Sequence, residues 1–175
     1  MKTSLMRIAF CSLLLLPVLL TFVSAQDPSR QRPIDSSNAN KLKNRSRNRR
    51  AINPAGISPL LPAYSIAVRA GDLVFVSGMT GVKPGSQDIV EGGTAIQTQQ
   101  ALENIRTSLQ AAGATMSDVA ECTVFLLNMA DFSAMNEVYV KFFPSDPPAR
   151  ATVAVSALPR PAARVEIKCS AVVQH

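Results

Sequence analysis

An α+β fold of two layers, a mixed β-sheet with two helices on one face, is predicted by three features of the sequence. Apolar residues recur at helical spacing in two segments, Thr94 to about Ala112 and roughly Phe132 to Phe143. Short β-prone runs precede, separate and follow them. Glycine and proline clusters mark the joins. The resulting order, β-β-(β)-α-β-α-β-β, lets both helices cover one face of a single sheet.

The 175 residues divide into three parts. In residues 1–25, Lys2 and Arg7 flank the start of a nearly all-apolar run from Ile8 to Leu20, and small residues lead to Ala25. That is the pattern of a signal peptide cut near Ala25, so a periplasmic or secreted protein is expected. Residues 26–52 hold eight Lys or Arg against two acids and few large apolar side chains, so they cannot offset their ordering entropy and should form a basic disordered linker. Its Lys41-to-Arg50 run allows contact with an anionic surface, lipid or nucleic acid, or processing at Arg49-Arg50. A solvated tether is the plainer reading. Asn44-Arg45-Ser46 fits a glycosylation acceptor. The folded domain is expected over residues 53–175.

Within that domain, Tyr64–Arg69 and Leu73–Ser77 flank Gly71-Asp72 and read as a hairpin. After a loop with Pro84, Gly85 and Ser86, Asp88–Glu91 is a candidate edge strand. The first helix places Leu102, Ile105, Leu109 and Ala112 on one stripe, and Gly113 stops it. Val119–Leu127 is a buried strand. Asp131 is positioned to cap a second helix with Phe132, Met135, Tyr139 and Phe142 on its stripe. Pro144, Pro147 and Pro148 end that helix. Ala151–Ala157 and Arg164–Val173 complete the sheet around the turn Leu158-Pro159-Arg160-Pro161. On the last strand Val165, Ile167, Cys169 and Ala171 face one way and Glu166, Lys168 and Ser170 the other, so the second face of the sheet is half-polar and suits a partner or a wet pocket.

Composition removes several classes of chemistry. The only histidine is His175, which leaves no imidazole base for a Ser-His-Asp or Cys-His device and too few ligands for a Cys/His zinc site. Neither a metal nor a cofactor is expected. The domain from residue 53 onward carries 8 basic and 10 acidic residues, a poor balance for gripping nucleic acid. Cys122 and Cys169 fall on strands of one sheet; pairing depends on geometry, and free buried thiols are the expectation.

Several stretches together resemble one family. They are Tyr64-Ser65-x-Ala67-Val68 with Ala70-Gly71-Asp72-Leu73-Val74-Phe75-Val76-Ser77-Gly78, then Gln97-Thr98-x-x-Ala101-Leu102-x-Asn104-Ile105, and Val124-Phe125-Leu126 leading to Phe132 and Asn136. Pro148-Ala149-Arg150-Ala151-Thr152-Val153, followed by Leu158-Pro159 and Val165-Glu166-Ile167, is the most specific. Over about residues 54–173 the chain resembles the RidA (YjgF/UK114) enamine/imine deaminases. The resemblance implies a chorismate-mutase-like fold and a homotrimer whose sheets form a central barrel, with clefts between subunits. It also implies cofactor-free hydrolysis of 2-imino acids, such as 2-iminopropanoate or 2-iminobutanoate, to 2-oxo acids and ammonia.

The residues can be weighed against that chemistry. A guanidinium binds a carboxylate through two parallel bonds, so Arg150 suits the substrate carboxylate; a surface arginine at a strand end is the ordinary alternative. Glu166 can position or activate water, or it can be an exposed acid beside Lys168 or Arg164. Tyr64 can wall a cleft and bond a ligand, or be a half-buried hairpin tyrosine. Asn136 matches a family asparagine beside the cleft, though helix surfaces commonly carry asparagine. Ser77 and Gly78 lie where the family brings backbone close to the ligand, and a turn would need the same glycine. Thr152 stands where many members carry cysteine, so a hydroxyl replaces the thiol. The Arg160–Ala163 turn is one residue longer than in the best-known members, which bears on the angle of Glu166. A Rid relative that binds small carboxylates without turnover is the alternative, and ribonuclease or translation-inhibitor action a more remote one.

Overall fold

Residues 48–173 are described in the computed structural model. The β-prone run at Leu73 forms an interior strand of the sheet. Strand β2 (Ala67–Ala70) turns at Gly71-Asp72 into β3 (Leu73–Thr80), and β1 (Arg49–Ile52) pairs antiparallel with β2 on its outer side. Helix α1 (Thr94–Ala111) leads to β4 (Val119–Leu126), α2 (Phe132–Phe142) to β5 (Ala149–Ala154), and the chain ends with β6 (Val165–Val172). The order across the sheet is β1-β2-β3-β6-β4-β5, with β4 and β5 parallel and every other pair antiparallel. The sheet is open, not closed on itself.

Topology explains why both helices share a face. β3, β4 and β5 run in the same direction, and α1 and α2 are the crossovers between them, both stepping the same way along the sheet. Crossovers between parallel strands are right-handed almost without exception, so two successive steps in one direction place both helices on one side. The fold is thus the mixed α+β two-layer domain that the sequence predicts.

Burial follows from that layering. Ala101, Leu102, Ile105 and Leu109 of α1 have no exposed surface, and they meet Val74, Val124, Leu126, Val165 and Ile167 from the sheet. Each of these Leu, Ile and Val side chains contributes about 1.5–3 kcal/mol when taken fully out of water. Gly113 takes a positive φ of 79° and closes α1, and Arg69 donates to the carbonyl of Ala112 at 2.8 Å, a cation at the negative end of the helix. The opposite sheet face stays open: Leu73, Phe75, Val153 and Val172 are each exposed there.

Polar residues of α1 fix the loops. Gln97 is buried; its Nε2 donates to the carbonyl of Ala162 at 3.0 Å, and its Oε1 accepts from the Arg164 N–H at 2.7 Å. The turn before β6 is therefore pinned to the helix. Asn104 donates to the carbonyls of Thr80 and Val82 at 3.2 and 3.0 Å and holds the end of β3.

Several expectations are corrected. Arg49–Ile52, assigned to the linker, form an edge strand, so the dibasic pair Arg49-Arg50 lies in the sheet. Asp88–Glu91 is no strand; a single bridge joins Val82 and Ile89. Asp131 makes no side-chain cap to α2 because its carboxylate accepts from Thr94 Oγ1 at 2.6 Å instead. Cys122 and Cys169 are not free thiols: they lie directly opposite on β4 and β6 and form a disulfide. The signal peptide and the secretion expected from residues 1–25 find no support among the described residues. Residues 1–25 lie outside the described residues, and among the described residues no helix is long and apolar enough to cross a membrane. Asn44 and the rest of the linker up to residue 47 likewise lie outside them.

Candidate functional site

Glu166 faces away from the helices, as the alternation of β6 requires: Val165 and Ile167 on either side of it are buried in the core. Its partners across the sheet are Thr80 on β3 and Phe125 on β4. Opposite it the register of β3 slips between Val76 and Met79, a bulge that places Ser77 and Gly78 beside the carboxylate. A Cβ on Gly78 would lie 2.7 Å from Glu166 Cδ and nearer still to Oε1, so glycine is what lets the acid rest against the backbone. Burial raises the Glu166 carboxyl above its ordinary value.

A cavity of about 420 Å³ opens over this acid, lined by Leu60, Leu61, Tyr64, Ser77, Gly78, Thr80, Pro159, Arg160 and Glu166. The Tyr64 hydroxyl accepts from the Leu60 N–H at 2.9 Å, which leaves its own proton to donate. Ser77 is committed elsewhere. Its hydroxyl donates to the Ser65 carbonyl at 2.8 Å and its N–H to the Ile66 carbonyl at 2.9 Å, so toward a ligand it can only accept.

Arg150 lies on the other side of the sheet. It pairs in register with Cys122, whose side chain is in the core beneath the helices, and so it points toward α2. Phe132, Asn136 and Tyr139 are spaced by four and three along α2 and present one face to it. Arg150 Nη1 donates to Asn136 Oδ1 at 2.8 Å, and its Cζ stands 4.5 Å from the Tyr139 ring centroid and 5.8 Å from that of Phe132. Among the described residues no carboxylate pairs with Arg150. Its other N–H groups are available. A second cavity of about 280 Å³ lies here, lined by Asn136, Tyr139, Val140, Phe143, Pro147, Pro148 and Arg150.

Two buried hydroxyls on this side have no partner, those of Tyr139 and Thr152. Thr152 is two residues from Arg150 on β5 and shares its face. Desolvation pushes the Tyr139 phenol up to about 12, against the lowering effect of Arg150, so it is a neutral donor at ordinary pH.

The seven residues singled out in the sequence thus fall into two groups. Tyr64, Ser77, Gly78 and Glu166 share one cavity; Asn136 and Arg150 share the other, with Thr152 beside Arg150 on β5. No single copy brings the guanidinium and the carboxylate together. The sequence reading missed Leu60, Leu61, Thr80 and Arg160 of the first cavity, and it took Phe132 and Tyr139 for core alone. The spacing of Phe132, Asn136 and Tyr139 was a usable signal.

Comparison with known proteins gives a consistent picture. A family profile described as Endoribonuclease L-PSP matches residues 57–173. The 2-iminobutanoate/2-iminopropanoate deaminase of Capra hircus is 42% identical over 124 residues, covering 71% of this chain and 90% of that protein. Protein DfrA of Myxococcus xanthus is 41% identical over 126 residues, covering 71% and 95%. The crystal structure of RidA from the Antarctic bacterium Psychrobacter sp. superposes with a TM-score of 0.67 at 35% identity, over 71% of this chain and 99% of that one.

Proposed function

This chain belongs to the Endoribonuclease L-PSP family, which is the RidA family of its relatives, and from that premise we propose that it hydrolyses 2-imino acids to 2-oxo acids and ammonia. The observation that carries the reading is the pair of complementary half-sites: an acid resting on Gly78 in one cavity, and a guanidinium without a carboxylate partner at the other. Two copies set side by side, as in a homotrimer, would close one cleft from Glu166 of one subunit and Arg150 of the next. The exposed apolar residues Leu73, Phe75, Val153 and Val172 give the second sheet face a reason to be covered.

The chemistry then runs without a cofactor. Arg150 holds the substrate carboxylate through its free N–H groups, with the Thr152 hydroxyl as a further donor. Glu166 takes a proton from water as its oxygen bonds to the imine carbon, and the C=N bond becomes a C–N bond. Glu166 returns that proton to nitrogen, the C–N bond breaks, and the hydroxyl proton leaves as the carbonyl forms. Iminium and water give the 2-oxo acid and ammonium, with no change in oxidation state. Tyr64 can donate its free proton to the developing hydroxyl. The ribonuclease of the family description finds little support in these residues, since the domain from β1 onward balances ten basic against ten acidic residues and the sole histidine is His175.

The test is ammonia release from freshly generated 2-iminopropanoate, with and without the purified protein. Acceleration over the uncatalysed rate is expected. An unchanged rate, in a sample that binds 2-oxobutanoate, would instead favour a non-catalytic carboxylate-binding protein.

A further inference from the structure

The cavity over Glu166 contains a second guanidinium that the deaminase reading does not use. Arg160 lies in the turn before β6, half-buried, and its Nη1 and Nη2 donate to the main-chain carbonyl and side-chain Oε1 of Gln87, both at 2.6 Å. Both acceptors are neutral. Among the described residues no carboxylate forms an ion pair with Arg160, and its guanidinium is held by neutral partners alone.

The mounting is rigid. Gln97 bonds to Ala162 and Arg164 on the far side of the same turn, and the Ala163 N–H donates to the Arg160 carbonyl at 2.9 Å. A cation held by two bonds on a pinned turn loses little freedom when it takes a ligand. The same cavity is walled by Leu60, Leu61, Tyr64 and Pro159, which supply apolar surface. At about 420 Å³ the cavity is within the ordinary range for ligand clefts, about 300–1,000 Å³, and is far roomier than a three-carbon imino acid requires.

We propose that this cleft takes 2-imino and 2-oxo dicarboxylic acids, with Arg160 binding the distal carboxylate while the apolar wall packs the methylene spacer. The assignment rests on the deaminase reading for the proximal end, where Arg150 of a neighbouring copy holds the first carboxylate. Arg160 acts as a specificity residue, because only a substrate with a second anion can reach it with charge. A guanidinium carrying two neutral acceptors still has N–H groups for a bidentate partner.

Equilibrium binding of the stable products separates this assignment from the reading it rests on. 2-Oxoglutarate and 2-oxobutanoate are titrated into the full chain by calorimetry or by NMR. 2-Oxoglutarate should bind at least about tenfold more tightly, the effect of one added charge-assisted contact. In Arg160→Gln the two acids should bind within about threefold of each other, and Arg160→Lys, a point charge without the planar fork, should keep part of the preference. Equal or weaker binding of 2-oxoglutarate overturns the dicarboxylate assignment alone, as does a preference that survives in folded Arg160→Gln. Failure of both acids to bind overturns it together with the deaminase reading.

Discussion

Arg150 is held by three contacts from one helix face, and each contact has a distinct consequence. The Asn136 bond sets the plane of the guanidinium, while the rings of Tyr139 and Phe132 lie under it. Arg150→Ala should abolish deamination with the fold intact, since losing two charge-assisted bonds at about 1.5–3 kcal/mol each removes roughly two to four orders of magnitude. Arg150→Lys should recover little. Steady-state kinetics beside circular dichroism checks both; near-normal turnover in Arg150→Ala would end the proposal. Tyr139 acts through Arg150 and is a positioning residue. Tyr139→Leu removes a cation–π contact worth about 0.5–2 kcal/mol and should raise KM several-fold with kcat little changed, whereas Tyr139→Phe keeps the ring and should keep KM.

Glu166 gives a pH signature. Its carboxyl is raised by burial, so its base form is lost at a higher pH than for an ordinary carboxylate. The acid limb of kcat/KM should lie correspondingly high, and it should vanish in the weakly active Glu166→Gln. The stability effect has a definite sign. A raised folded-state value means the charged form is disfavoured in the fold, so this group's contribution improves as pH falls through that value and is lost as pH rises through it. Glu166→Gln should therefore be at least as stable as the parent at neutral pH and should flatten that pH dependence in thermal melts.

At the scale of elements, the disulfide joins the neighbouring strands β4 and β6. Cys169 and Cys122 stand in one row with Val76 on β3 and Arg150 on β5, so the bond fixes β6, which carries Glu166, to the strand that pairs with β5. Both sulfur-bearing residues are buried, at 0% and 2% exposure, so reductant reaches them only when the sheet opens. In protein denatured without reductant, thiol titration should find neither Cys122 nor Cys169 reactive, and both should react once the bond has been reduced and the reductant removed; two free thiols in the unreduced denatured sample would refute the bond. Replacing the pair by alanines should cost about 2–4 kcal/mol, read from denaturant melts.

What could be read beforehand divides along the same lines. Stripes such as Leu102, Ile105 and Leu109, and the alternation along β6, are local periodicities, and they placed the helices and the core face of the sheet correctly. β1 escaped because Arg49, Arg50 and Ala51 are exposed and only Ile52 is buried, a polar edge strand with no periodic signal. The cysteine pairing escaped because register is a property of two distant strands, not of either one. Residue types and motif spacing identified Arg150 and Glu166 as candidates. That they point to opposite faces of the sheet needed the parallel pairing of β4 with β5, which local sequence does not encode.

Whole-molecule reasoning starts from that opposition. If the cleft forms between copies, every site needs Glu166 from one subunit and Arg150 from another, and the two lesions must complement. Arg150→Ala and Glu166→Gln subunits should each be nearly inactive alone. Unfolded together and reassembled in equal amounts as trimers, an intact cleft arises wherever an Arg150→Ala subunit offers its Glu166 to a Glu166→Gln neighbour's Arg150. Random assembly places the two in that order at about a quarter of the clefts, so about a quarter of parental turnover should return. The same mixing with two samples of one variant should return none. Mass spectrometry or sedimentation must show that mixed oligomers formed. If they form and activity stays at the level of the single variants, the two groups do not share a cleft, and the pairing of half-sites proposed for this chain is wrong.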